Sequence, residues 1–130
     1  MMAEFHAGDR LPWHATDAEQ AVQQLVRSEQ YGAIWILDLK DETVGFLILT
    51  LGFSIEFHGV CAVIDEFYIR PHHRGQGHGS AALTLVGQYC ARNAITTLHL
   101  AVERASPRAR HLYERIGFED RGFYLMSKWI

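Results

Sequence analysis

The stretch Ile64 to Ala82, IDEFYIRPHHRGQGHGSAA, constrains this chain more than any other. Ile64 to Ile69 is apolar and aromatic and reads as a buried strand carrying two carboxylates, Asp65 and Glu66. Arg70 to Gly79 follows as a loop with glycines at 75, 77 and 79, bracketed by Arg70, His72, His73 and Arg74. Ser80 then opens a helical pattern. Strand, glycine loop, helix is the layout that aims free backbone N–H groups and the positive helix end at a phosphate. Glycine suits such a loop because a side chain would block close approach of backbone to ligand, and because nest geometry often needs positive φ.

Two familiar phosphate patterns do not fit. A nucleotide P-loop needs Lys-Ser or Lys-Thr after its last glycine, and none follows Gly79. A dinucleotide fingerprint needs a different glycine spacing inside a βαβ unit. A primarily nucleotide-binding protein is therefore a weak reading. What remains is Arg74-x-x-Gly77-x-Gly79.

The elements around this stretch are legible in outline. Leu11 to Ala15 reads as a short first strand, interrupted by Pro12. Thr16-Asp17-Ala18-Glu19 is a capping-box pattern. Ala18, Val22, Leu25 and Val26 recur behind it at helical spacing, so Thr16 to about Ser28 is expected to be an amphipathic helix. Tyr31 to Leu39 is β-rich. Lys40 to Thr43 is a polar turn, and Val44 to about Phe57 is a long strand pattern broken by Gly52. His58-Gly59 is a second turn before the strand Val60 to Ile69, so these three strands read as an antiparallel meander.

After the loop, Ala82, Leu83, Val86, Tyr89 and Cys90 give an apolar helix face to about Asn93. Thr97 to Val102 reads as a fifth strand, parallel to the central one because it follows a crossover helix. Ser106-Pro107 reads as an N-cap and first helical position. Ala109, Leu112, Tyr113 and Ile116 share the next helix face, and Gly117 stands where a C-terminal cap glycine belongs. Phe118 to Arg121 and Phe123 to Trp129 read as a closing hairpin around Gly122. The fold class is α/β: a mixed, mostly antiparallel sheet with helices on both faces, in a single domain over residues 1–130.

This order, together with Arg74-x-x-Gly77-x-Gly79, resembles the GNAT superfamily of acyl-CoA-dependent N-acetyltransferases. The likeness runs from about Asp41 to Trp129. Val44-Gly45-Phe46 is similar to the family's second hairpin. Ala109-x-x-Leu112-Tyr113-Glu114-x-x-Gly117-Phe118 is similar to its C-terminal motif. Alone, that second motif describes an ordinary amphipathic helix with a good stop; in order after the loop it carries weight.

The resemblance implies acetyl-CoA as co-substrate. It implies that the central strand and the strand after the crossover helix splay apart, and that the pantetheine arm pairs with backbone of Phe67, Tyr68 and Ile69 in the gap. Backbone of Arg74, Gly75, Gln76, Gly77, His78, Gly79 and Ser80 would hold the pyrophosphate. Ser106 stands where many members carry a cofactor-touching asparagine, a departure that can cost one contact. Tyr113 is implied as general acid for the leaving thiolate, against an alternative as a core tyrosine beside Leu112. Glu66 is the candidate general base, acting through water, because an alkylammonium with pKa near 10.4 is mostly charged at neutral pH.

Asp65 and Glu66 are expected on opposite faces of the strand. Asp65-Glu66-Phe67 is similar to the paired acidic residues of spermidine/spermine acetyltransferases. That makes Asp65 and Glu66 candidate acceptor contacts for a cationic amine, with a strand-end salt bridge as the alternative. Glu56 is a weaker acceptor candidate. The family usually builds two helices ahead of its first long strand, whereas only one is legible before Tyr31. The acceptor site is then either open or completed by a partner chain, and a homodimer is one such arrangement. The other function class is a non-catalytic acyl-CoA-binding module.

Composition narrows the rest. Hydrophobic residues make up 48% of 130 residues, enough for a globular core. Net charge is −3 with histidines neutral, which argues against a general nucleic-acid partner, and basic character gathers at the glycine loop. No apolar run has membrane-spanning length and no signal-peptide pattern opens the chain, so the expectation is a cytoplasmic protein without a membrane partner. Cys61 and Cys90 have no metal-type spacing and read as small core residues. His72, His73 and His78 cluster, but no further ligand stands at a helical i, i+4 spacing. They read as solvated loop histidines, and no metal is expected.

Overall fold

A computed structural model describes residues 1–7 and 14–130. Two helices come first, α1 (Met2–His6) and α2 (Ala15–Val26). Three long strands follow: β1 (Gly32–Leu39), β2 (Glu42–Ser54) and β3 (Gly59–Ile69). A short 3-10 turn over Pro71–His73 leads through the glycine loop to α3 (His78–Arg92), β4 (Thr97–Leu100) and α4 (Pro107–Ile116). The sheet order is β1-β2-β3-β4, with the first three strands antiparallel and β4 parallel to β3. Among the described residues no helix is long and apolar enough to cross a membrane.

Side-chain alternation builds a core on each face of the sheet. Leu47, Leu49, Ala62 and Ile64 face one way and meet Leu83, Val86 and Cys90 of α3, with Leu112, Tyr113 and Ile116 of α4 packed against them. Phe46, Ile48 and Tyr68 face the other way and meet Met2 and Phe5 of α1 and Leu25 of α2. Leu47, Leu49 and Leu83 are fully buried, so the meander and α3 form the centre of the fold.

Several expectations change. The helix expected from Thr16 starts at Ala15, with His14 as N-cap and no side-chain capping bond. Thr16 is thus already helical and forms no capping box. A second helix, α1, precedes it, against the single helix expected before Tyr31. Five residues are too few to show a period, and Phe5 docks it edge-on against the rings of Phe46 and Tyr68. Of the strand expected over Leu11 to Ala15, residues 11–13 lie outside the described residues and Ala15 belongs to α2.

The polar turn after β1 is tighter than expected: β2 begins at Glu42, and Lys40 bends the chain at φ 56°. β2 is not broken at Gly52, which pairs with Cys61 across the ladder. β4 stops at Leu100, two residues short of Val102. The hairpin expected over Phe118 to Trp129 does not form. Phe123, Tyr124, Leu125, Met126 and Trp129 join no sheet among the described residues, and all are exposed. Arg121 is held instead by Glu56 at 3.3 Å and lies over the Phe57 ring.

Candidate active site

The glycine loop delivers what its spacing suggested. Gly75 and Gly77 adopt φ of 74° and 86°, left-handed values that suit glycine. Gly77 is the N-cap of α3 and no side chain caps the helix. The amide of Ala81 is the first to close a helical bond, to the Gly77 carbonyl at 3.0 Å. The amides of Gly77, His78, Gly79 and Ser80 therefore precede the first donor of the helical ladder. A Cβ placed on Gly77 would meet nothing within 4 Å, so this cradle opens outward. Backbone donors at a positive helix end fit a diphosphate. Gln76 braces the loop by donating from Nε2 to the His72 carbonyl at 2.9 Å.

The charged groups around the loop differ from expectation. Arg74 turns back, donating from Nε to the Ile69 carbonyl at 2.6 Å with its guanidinium over the Tyr68 ring. Arg108, from the first turn of α4, takes the outward place: its Nη2 would lie 2.9 Å from a Cβ on Gly75. Sequence reasoning missed Arg108. The signal was available, because a cation in a helix's first turn opposes the macrodipole and needs another reason to be there. Ser106 is the N-cap of α4 but makes no side-chain capping bond.

At Gly79 three elements converge. A Cβ there would stand 3.4 Å from Leu112, 3.6 Å from Ile69 and 3.8 Å from Phe67. Absence of a side chain lets the start of α3 settle onto the end of β3 beside α4. The pairing of β3 with β4 runs only from Cys61↔Thr97 to Ile64↔Leu100, while β3 continues to Ile69. Beyond Ile64 the β4-side edge of β3 has no strand partner among the described residues, so the two strands part where Phe67, Tyr68 and Ile69 lie. The Tyr68 side chain is buried toward α1, so only its backbone is available at this edge.

Asp65 and Glu66 do not point to opposite faces. Glu66 pairs with Ile48 and Ile64 with Leu49, which leaves Asp65 as the extra residue of a β-bulge. Both carboxylates consequently line one cleft of about 510 Å³, with Ile48, Leu25 and Tyr31 among its apolar walls. Glu66 is largely buried, and its Oε1 lies 2.8 Å from Nε2 of His6. His6 is a second residue the sequence did not flag, because α1 itself was not legible. Glu56 lies outside this cleft, in the turn between β2 and β3, paired with Arg121.

Tyr113 packs on the opposite face of the sheet, against the α3 cluster and edge-on to Phe118 at 5.8 Å. Burial pushes its phenol pKa up, so it keeps its proton at neutral pH. Glu66 and Tyr113 thus flank the sheet from its two faces without touching each other. Near the loop, His73 and then His72, with Nε2 atoms 3.2 and 3.4 Å from Oε1 of Glu42, hold its carboxyl below the ordinary value.

Residues 1–118 match the model of the acetyltransferase (GNAT) family. The chain belongs to the GNAT family. It is 32% identical over 91 residues to the uncharacterized N-acetyltransferase YhfO of Bacillus subtilis (strain 168), covering 69% of this chain and 61% of that protein. It is 33% identical over 57 residues to the thialysine N-epsilon-acetyltransferase of Bos taurus, covering 44% of this chain and 34% of that protein. The aligned stretches therefore span less than two thirds of either relative. The integron cassette protein HFX_CASS3, from the mobile metagenome of Cole Harbour Salt Marsh, superposes with a TM-score of 0.87 at 32% identity, over 99% of this chain and 80% of that one. In this GNAT domain the family's mixed sheet and helices are present, with β3 and β4 parallel.

Proposed function

We propose that this protein is an acetyl-CoA-dependent N-acetyltransferase for a cationic primary amine. The observation that carries the reading is the junction at the end of β3. There a strand edge freed from β4 runs into a loop of left-handed glycines and an uncapped helix start. Amides 77–80 suit the diphosphate, and Arg108 adds a positive charge beside them. The open edge at Phe67 to Ile69 suits strand-like pairing with the pantetheine arm, and an N–H there would bond the thioester oxygen.

The chemistry follows from the two faces of the sheet. The amine nitrogen attacks the thioester carbon, forming C–N and breaking C–S, to give an amide and a thiolate. The ammonium proton must leave before attack, and Glu66 accepts it through water from the cleft side. Tyr113, which keeps its proton at neutral pH, supplies that proton to the thiolate from the other side, and the second nitrogen proton, released as the tetrahedral adduct collapses, returns Tyr113 to its neutral form. The two carboxylates of the bulge favour a cationic acceptor. The bovine relative's acceptor, thialysine, is consistent with an amine in that role.

Thiol release from acetyl-CoA across a panel of diamines, polyamines, amino acids and peptide N-termini tests this, with Glu66→Gln and Tyr113→Phe run alongside. Turnover that needs both residues supports the reading. Tight acetyl-CoA binding without turnover on any amine would make the domain an acyl-CoA-binding module instead.

A further inference from the structure

Beside the glycine loop, three side chains from two parts of the chain meet. His72 and His73 stand next to each other in the 3-10 turn over residues 71–73, with ring centroids 4.2 Å apart. Glu42 comes from the first residue of β2. Its Oε1 lies 3.4 Å from Nε2 of His72 and 3.2 Å from Nε2 of His73, and donor atoms of all three lie within 4.8 Å of one another. No linear spacing announces this set, because the carboxylate arrives from thirty residues upstream.

The dimensions are those of a metal site. Donors at about 2.0–2.1 Å from a tetrahedral zinc lie about 3.3–3.4 Å from one another. Two edges of the triangle already have that length. The third edge lies within 4.8 Å, and the His72 side chain, 64% exposed against 12% for His73, has room to adjust it. Arg70 is the competing cation, with Nη1 4.0 Å from the same oxygen. It is also engaged elsewhere, donating to the Thr43 carbonyl at 3.0 Å and facing Glu4 at 3.7 Å.

We propose that Glu42, His72 and His73 form a binding site for a divalent transition metal of the zinc class. Two imidazoles and one carboxylate select Zn2+, Co2+, Ni2+ or Cu2+ over Mg2+ and Ca2+, which take oxygen ligands. Three protein donors leave a fourth position for water. The ion joins the start of β2 to the turn whose His72 carbonyl anchors Gln76. It therefore braces the base of the glycine loop, and the proposal stands whether or not the protein transfers acetyl groups.

Calorimetry with ZnCl2 on tag-free, chelator-treated full-length protein tests the site, with cobalt absorption as a second readout. The expected result is one zinc per chain and a tetrahedral cobalt spectrum. Glu42→Gln and His72→Asn should each lose at least about tenfold in affinity, comparable to the loss of a metal-orienting group. Both side chains are half exposed or more, so both variants should fold. Zinc should raise the melting temperature of the parent protein and leave that of Glu42→Gln unchanged. His111→Asn, outside the cluster, should bind as the parent does. Absence of zinc binding, undiminished binding in Glu42→Gln, or an equal loss in His111→Asn would overturn the proposal.

Discussion

The glycine loop and the carboxylate cleft sit at the two sides of one strand end, yet they are built from different materials. The loop offers backbone: left-handed glycines and the uncapped start of α3. The cleft offers side chains, Asp65, Glu66 and His6, brought together by a bulge and by a short docked helix. A backbone site is specified by where side chains are missing. A side-chain site is specified by register and packing, which depend on distant parts of the chain.

The largest effect should come from placing charge in the loop. Gly77→Asp keeps a residue that tolerates left-handed φ but sets a carboxylate beside the proposed diphosphate. Like charges about 4 Å apart cost about 4 kcal/mol at an effective dielectric of 20. Calorimetry should therefore show CoA affinity falling by on the order of a hundredfold or more, with the circular dichroism spectrum unchanged. Unaltered CoA binding would erase the distinction between the two sites.

Tyr113→Phe comes next, with kcat expected to fall about a hundredfold, the lower range for a lost general acid, while CoA affinity holds. Burial raises the Tyr113 pKa, so its deprotonation limb should lie above the ordinary tyrosine value of about 10. The parent rate should decline there and the variant's should not. Stability follows the same sign. The phenol is neutral in both states below that value, and the folded form loses ground as pH rises through it and the unfolded chain ionises first.

In the cleft, Glu66→Gln should lower kcat/KM by at least about tenfold. Asp65→Asn should chiefly raise KM, and more for diamines than for neutral amines. Equal effects of Asp65→Asn on charged and neutral acceptors would show that the bulge does not read charge. The smallest effect belongs to Arg108→Ala. An exposed ionic contact contributes roughly 0.2–1 kcal/mol, so CoA affinity should drop only a few-fold, and less at high salt.

Legibility in the sequence follows the same division. The β meander, the parallel crossover and α4 with its Gly117 cap could be read because periodicity and cap residues are local. The loop could be read because Gly75 and Gly77 mark it directly, although Gly79, read as its last residue, lies in the first turn of α3, which starts at His78 rather than Ser80. The bulge could not, since Ile64 to Ile69 carries no glycine or other local mark of an extra residue. α1 was too short to show a period, so His6 was invisible with it. The closing hairpin was over-read: Phe123 to Trp129 has strand-like residues, but a strand also needs an edge to pair with, and β4 is only four residues long.

The extra residue at Asp65 has a consequence for how this domain tolerates change. Exchanging Asp65 for another side chain alters only what the cleft presents. Deleting it would restore strict alternation with Ile64 still opposite Leu49 and Glu66 still opposite Ile48, so Glu66, Phe67 and Tyr68 would keep their faces and the cleft would lose one of its two carboxylates. A one-residue deletion here should therefore be tolerated better than one elsewhere in β3, where every later side chain would change faces, so related chains can differ by one residue at this point and keep the same core.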